Sequence, residues 1–242
     1  MTILYVFPHP DDESFGPGPV IARQVREGHD VSLLTLTKGG ATGVRHGLGL
    51  SVEEMGAVRE REMACVADVL GLDLAVLDFP DGGLAGLDPR EIEKVVERKV
   101  RAVQPDVLVT YAAFGNSGHP DHLVTHAVVK RAYCQLGVEM AATAPKRLAL
   151  FTLVEDALDG APDHLRGVPR DDLGAVVTFT DGDRETAARA LDCYETYQSV
   201  VDEHDPLSLV ADGVGFVLFD ETHDPPLDTL TASFTSDRGA GA

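Results

Sequence analysis

Six apolar runs, at residues 2–8, 31–37, 74–79, 107–112, 148–154 and 175–180, recur along the chain with polar-faced segments between them. Runs of this length rich in Val, Leu and Ile, with little polar alternation, predict strands buried on both faces. The segments 16–28, 51–71, 89–104 and 121–137 carry apolar residues at three- and four-residue spacing, as in Val95, Val96, Val100 and Val103, and so predict helices. Strand alternating with helix predicts an α/β chain whose sheet is mostly parallel and covered on both sides. Ser51 with Glu54 has the form of a capping box, Asp88 before Pro89 reads as a helix start, and Gly28 and Gly71 read as helix ends. A further helix is expected from about Asp183 to Val200, and a short strand at Gly215–Asp220. No repeat or linker divides the chain. The reading is one domain over residues 1–228 and a flexible tail over 229–242, which is small and polar.

Composition narrows the function. A net charge of −20 repels phosphate backbones and anionic lipid, which argues against nucleic-acid and membrane partners. No apolar run reaches the roughly 20 residues that span a bilayer, and the chain enters a strand without a signal-like leader, so a cytoplasmic location is expected. Cys65, Cys134 and Cys193 are odd in number and far apart, which predicts free buried thiols.

Two polar clusters follow apolar runs. Pro8-His9-Pro10-Asp11-Asp12-Glu13 comes after Ile3–Phe7, and Gly118-His119-Pro120-Asp121-His122 comes after Val107–Tyr111. In open α/β sheets, ligand sites form where strands end. Two imidazoles with carboxylates can hold a divalent metal and leave a coordination position open, the ligand count of a hydrolytic site. His9 and Asp12 lie three apart in a strand-to-helix turn and can converge on one point, while Asp11 between them is free to act as a base. Of His119 and His122, one can complete the metal shell and the other can donate to the reacting group; spacing leaves the choice open. An acidic N-cap cluster for the following helix explains Asp-Asp-Glu alone, but not its pairing with a second His-Pro-Asp-His. His126 reads as a packed histidine, and Lys38, Arg45 and Arg59 as residues near the cleft mouth. Asp81, in Phe79-Pro80-Asp81-Gly82-Gly83, ends the third strand on the same edge. Neither glycine-rich stretch, Gly16-Pro17-Gly18 or Gly39-Gly40-Ala41-Thr42-Gly43, matches a nucleotide-binding loop.

Together, Pro-His-Pro-Asp-Asp-Glu-Ser-Phe-Gly and Gly-His-Pro-Asp-His resemble the LmbE-like, or PIG-L, N-acetylglucosaminyl deacetylase superfamily. Arg59-x-x-Glu62, Leu70-Gly71 and Phe79-Pro80-Asp81-Gly82 match in order and spacing. The resemblance implies a Rossmann-like three-layer sandwich and a small N-acetylated sugar as substrate. It implies Zn2+, or Fe2+ in cells, held by His9, Asp12 and His122, with Asp11 as base. It further implies that His119 protonates the leaving amine or polarises the oxyanion, that Asp121 orients His119, and that Arg59 and Asp81 contact glucosamine hydroxyls. Phe-Pro-His-Pro-Asp-Asp-Glu looks closest to bacillithiol-pathway deacetylases, which points to an N-acetylglucosaminyl malate, and relatives commonly assemble as homo-oligomers. A His followed by Ser/Thr-Gln, common near the C-terminus of relatives, is replaced here by Cys193-Tyr194-Glu195-Thr196-Tyr197-Gln198. A thiol-conjugate amidase, a deacetylase of another glycan or antibiotic, and a non-catalytic metal-binding module are the competing expectations.

Overall fold

The structure is a computed structural model that describes residues 1–140, 142–210 and 213–232. Its strands are β1 (Thr2–Phe7), β2 (Asp30–Thr37), β3 (Asp73–Phe79), β4 (Val107–Tyr111), β5 (Arg147–Val154), β6 (Gly167–Val168), β7 (Ala175–Val177) and β8 (Val214–Leu218). The helices are α1 (Gly18–Arg26), α2 (Val44–Leu48), α3 (Val52–Leu70), α4 (Pro89–Val103), α5 (Gly115–Gly118), α6 (Pro120–Glu139), α7 (Asp181–Asp192) and α8 (Gln198–His204). The sheet runs β3-β2-β1-β4-β5-β8-β7, with β6 added beside β5. Its first five strands are parallel, and β8 and β7 continue the sheet antiparallel.

Alternate residues of each central strand face opposite layers. Ile3, Tyr5 and Phe7 of β1 join the layer with Ile21 of α1, Met63 and Val66 of α3 and Ala190 of α7. Leu4 and Val6 join the other, with Val96 and Val100 of α4 and Val128 and Ala132 of α6. All five of these β1 residues are fully buried, as an uninterrupted apolar run requires of a central strand.

Local signals appear as read. Ser51 Oγ accepts from Glu54 N at 3.1 Å while the Glu54 carboxylate accepts from Ser51 N at 2.8 Å, so the capping box opens α3. Asp88 caps α4, and Gly71 closes α3 in the left-handed conformation.

Two expectations are corrected, and further features had no local signal. The helix expected from Asp183 to Val200 breaks after Asp192 and resumes at Gln198. The intervening Thr196 N donates to the Glu62 carboxylate of α3 at 2.8 Å instead of continuing a helical ladder. Cys65 and Cys193 are not free thiols but form a disulfide between α3 and this break, and Cys134 is free but exposed. The short helix α2 and the two-residue strand β6 carried no periodic signal. The first residues of the expected tail are docked: Leu230 is buried and its carbonyl accepts from Arg147 Nη1 at 2.6 Å. Residues 233–242 of that tail lie outside the described residues.

Candidate active site

The strand order places β1 between β2 and β4. The chain leaving β1 turns to the layer of α1, and the chain leaving β4 turns to the layer of α4 and α6. Diverging connections open a crevice beyond the strand ends, and both polar clusters fall into it.

The first cluster is held by the backbone at Asp11, whose φ is +84°. Side chains other than glycine resist this conformation, so the turn needs external support. It comes from Tyr194, whose hydroxyl accepts from Asp11 N at 2.8 Å and donates to Glu13 Oε1 at 2.6 Å. Burial pushes the Glu13 carboxyl up to about 7, against the hydrogen bonds from Ser14 and Tyr194. Asp12 points to the crevice floor. Its Oδ2 accepts from His9 N at 2.8 Å and its Oδ1 from the Tyr111 hydroxyl at 2.7 Å. The same two oxygens lie 3.5 Å from His9 Nδ1 and 3.4 Å from His122 Nε2.

The second cluster opens α6. His119 is the N-cap, and its Nδ1 accepts from Asp121 N at 3.2 Å. That bond requires the lone pair on Nδ1, so the proton of neutral His119 sits on Nε2. Burial, then the neighbouring His9 and His122, hold His119 below the usual imidazole range and keep it neutral. His122 is opposite in sense: Nδ1 lies 2.9 Å from the Gly115 carbonyl and donates to it, which leaves the Nε2 lone pair facing Asp12. Gly115 has a φ of +65°, and a Cβ there would sit 2.7 Å from His122 Cβ, so only glycine admits this approach. Tyr111 stacks on the His122 ring with centroids 4.1 Å apart.

Two groups of side chains here bring donor atoms close enough to share a divalent cation, and neither includes Asp12. Ligand atoms about 2.0–2.1 Å from a tetrahedral zinc lie roughly 3.4 Å from each other, close to the separations of His9 and His122 from Asp12, which run to its two different oxygens. Donor atoms of His9, His119 and His122 lie within 4.8 Å of one another, as do those of His9, Asp81 and Asp121. Negative charge is in surplus: Asp12, Asp81 and Asp121 gather around His9, and Asp11 faces Arg59. Burial works to lower the His9 pKa, but its carboxylate neighbours override it and raise the ring to about 10.

Two expected contacts are replaced by others. The Asp121 carboxylate does not reach His119. It accepts from Gly82 N at 2.8 Å and Leu84 N at 3.1 Å and lies 3.3 Å from His9 Nε2, because the turn after β3 presents peptide N–H groups that need a buried acceptor. Orientation of His119 comes from the Asp121 peptide instead. Arg59 does not stand at the mouth. It is 2 % exposed, donates to Asp11 Oδ2 at 2.7 Å and Pro10 O at 3.0 Å, and stacks over Tyr197 at 4.2 Å. Its charge is thereby paired with Asp11, and the residue lines the cavity. Asp81 lines the cavity, and its Oδ2 accepts from Ala41 N at 2.7 Å. Lys38 pairs with Glu60 at 3.0 Å, and neither it nor Arg45 lines the cavity. His126 is buried with Nδ1 2.8 Å from the Tyr111 carbonyl, a packed histidine as read.

Sequence reasoning gave no role to Tyr111, Tyr194, Glu62 or Glu13. The one available signal was the departure at Cys193–Gln198, which marks the segment carrying Tyr194 and Tyr197.

The profile described as PIG-L, GlcNAc-PI de-N-acetylase, matches residues 4–133, more than half of the 242-residue chain. The chain belongs to the PIG-L family. Among its PIG-L relatives is a 1D-myo-inositol 2-acetamido-2-deoxy-alpha-D-glucopyranoside deacetylase of Kineococcus radiotolerans, 29% identical over 91% of this chain and 76% of the relative. A mycothiol S-conjugate amidase of Streptomyces coelicolor is 31% identical over 55% of this chain and 52% of the relative. The crystal structure of a deacetylase from the biosynthesis pathway of teicoplanin shares the fold, with a TM-score of 0.68 at 18% identity over 92% of this chain and 100% of that one. Among the described residues, no helix is long and apolar enough to cross a membrane.

Proposed function

We propose that this PIG-L chain hydrolyses the acetamide of an N-acetylglucosaminyl compound, releasing acetate and the free amine. A divalent cation, Zn2+ or Fe2+, would be held by His9, Asp12 and His122. When bound, the cation supplies Lewis-acid polarisation and a lowered pKa for water. The observation that carries the reading is the pair of opposed imidazoles on one cavity: His122 turns a lone pair to the site, and His119 turns an N–H to it.

Asp11 accepts the proton of the attacking water. Burial raises its pKa against the pull of the Arg59 guanidinium, and Asp12 adds to the push, so the group is a stronger base than an ordinary carboxylate. His119 Nε2–H donates to the carbonyl oxygen as negative charge develops there. The proton taken up by Asp11 then passes to nitrogen as the C–N bond breaks. The named inositol-sugar deacetylase supports the acetamide as the bond attacked. The malate expected on the sugar finds no such support. Among the described lining residues Arg59 is the single Lys or Arg, and it is paired with Asp11.

The amidase relative favours a second reading, cleavage of a thiol-conjugate amide by the same groups. Acetate release from an N-acetylglucosaminyl panel, beside a thiol-conjugate panel, separates the two. Asp11→Asn should retain bound metal and lose about 10²–10⁴-fold in turnover, and chelation should abolish turnover reversibly. Wild-type rates in Asp11→Asn, or full activity after metal removal, would rule the mechanism out.

A further inference from the structure

We infer that the part of the cavity lined by Leu165, Val200 and Leu209 is a subsite for an uncharged, apolar substituent on the acetylated sugar, such as an aryl or alkyl aglycone. The inference rests on the deacetylase reading above and deepens it. The cavity has a volume of about 530 Å³, and the metal-site residues are a minority of its lining. Phe151 and Leu153 from the end of β5, Leu165 from the loop beyond it, Val200 from α8, and Leu209 and Phe15 are among the others. Leu165 and Leu209 are half-buried and packed against the main core, so this wall exists before a ligand arrives.

Charge excludes the alternatives. Glu203 lines the same region, and Arg59, the single lysine or arginine among the described lining residues, already neutralises Asp11. In a protein of net charge −20, a substituent bearing carboxylates would meet repulsion with no unpaired lysine or arginine in the described lining to offset it. A polyol would turn hydroxyls toward hydrocarbon, and buried hydroxyls without partners are penalised. His164 and His204 lie at the exposed rim, where water serves them. An apolar group matches the leucine and valine part of this lining.

The test compares the phenyl glycoside of N-acetylglucosamine with free N-acetylglucosamine and with its malate and inositol conjugates, on the metal-loaded protein. The phenyl glycoside should show a KM at least tenfold below that of the free sugar, and Leu165→Asp should erase most of that difference. A malate or inositol conjugate cleaved faster than the phenyl glycoside overturns the subsite. Calorimetry with phenyl glucosaminide and glucosamine reads binding without turnover. At least tenfold tighter binding of the phenyl compound, with no acetate from any substrate, keeps the subsite and removes the deacetylase reading. Acetate release without any phenyl preference in KM or binding removes the subsite alone.

Discussion

Arg59 Nη2 lies 2.7 Å from Asp11 Oδ2, and both side chains are largely shut from solvent. The guanidinium also rests 4.2 Å over the Tyr197 ring, so one face is stacked while its edge holds the carboxylate. Asp11 has thus a fixed orientation and a permanent counter-charge. Arg59 is a positioning residue for the proposed base.

Replacing Arg59 with Gln should lower kcat about 10²-fold by freeing the carboxylate. The sign of the pH effect follows from the pair. Arg59 pulls the Asp11 pKa down, so its loss leaves Asp11 protonated to higher pH and shifts the acid limb of kcat/KM upward. Arg59→Lys should restore part of both. An unmoved acid limb in a folded Gln variant would remove the proposed coupling.

Cys65 and Cys193 close a loop with a sequence separation of 128 residues. Reduction, or Cys65→Ser, should lower the unfolding free energy by about 2–4 kcal/mol in urea titrations. An unchanged midpoint in reductant would show that the bond contributes nothing.

Arg147 is fully buried at the start of β5 and pairs with Glu221, Nη2 to Oε2 at 2.7 Å. Glu221→Ala removes this ion pair from the buried guanidinium and should destabilise the fold by up to about 3–5 kcal/mol. Adding Arg147→Met should recover much of the loss, which chemical denaturation of the single and double variants measures.

Asp183 caps α7 and accepts from Arg26 Nε at 2.8 Å and Nη2 at 2.9 Å. Burial works to raise its pKa, but the bonds from Arg26 and Thr180 override it and hold the carboxyl at about 2. A folded-state pKa below the ordinary value of about 3.9 stabilises the fold above that pH and loses the contribution as pH falls toward 2. Allowing for solvent around the exposed guanidinium, the loss should be about 1–2 kcal/mol. Asp183→Asn should be less stable at neutral pH and flatter between pH 4 and 2 in thermal melts.

The parts of the fold legible in the sequence are those whose signal is local. The β1 run, the capping box of Ser51 and Glu54, and the start of α4 at Asp88 and Pro89 are each set by residues within a few positions of one another. The α-helix read through Cys193–Gln198 fails because partners on α3, Cys65 and Glu62, hold that stretch out of a continuous α-helix. Nothing near Cys193 announces them.

The same division runs through the site. By itself the sequence determined that His9, Asp11 and Asp12 follow one strand and His119, Asp121 and His122 another, because motif and apolar run adjoin in the chain. Only the tertiary structure decided which groups those side chains meet. Asp11 turns to Arg59, Asp121 to the turn after β3 and to His9, and Tyr194 to the strained Asp11 peptide. Each of these pairings spans from 39 to 183 residues. Strand order, which no local pattern encodes, brings the partners together, and the need to satisfy buried charges and peptide groups then selects the contacts.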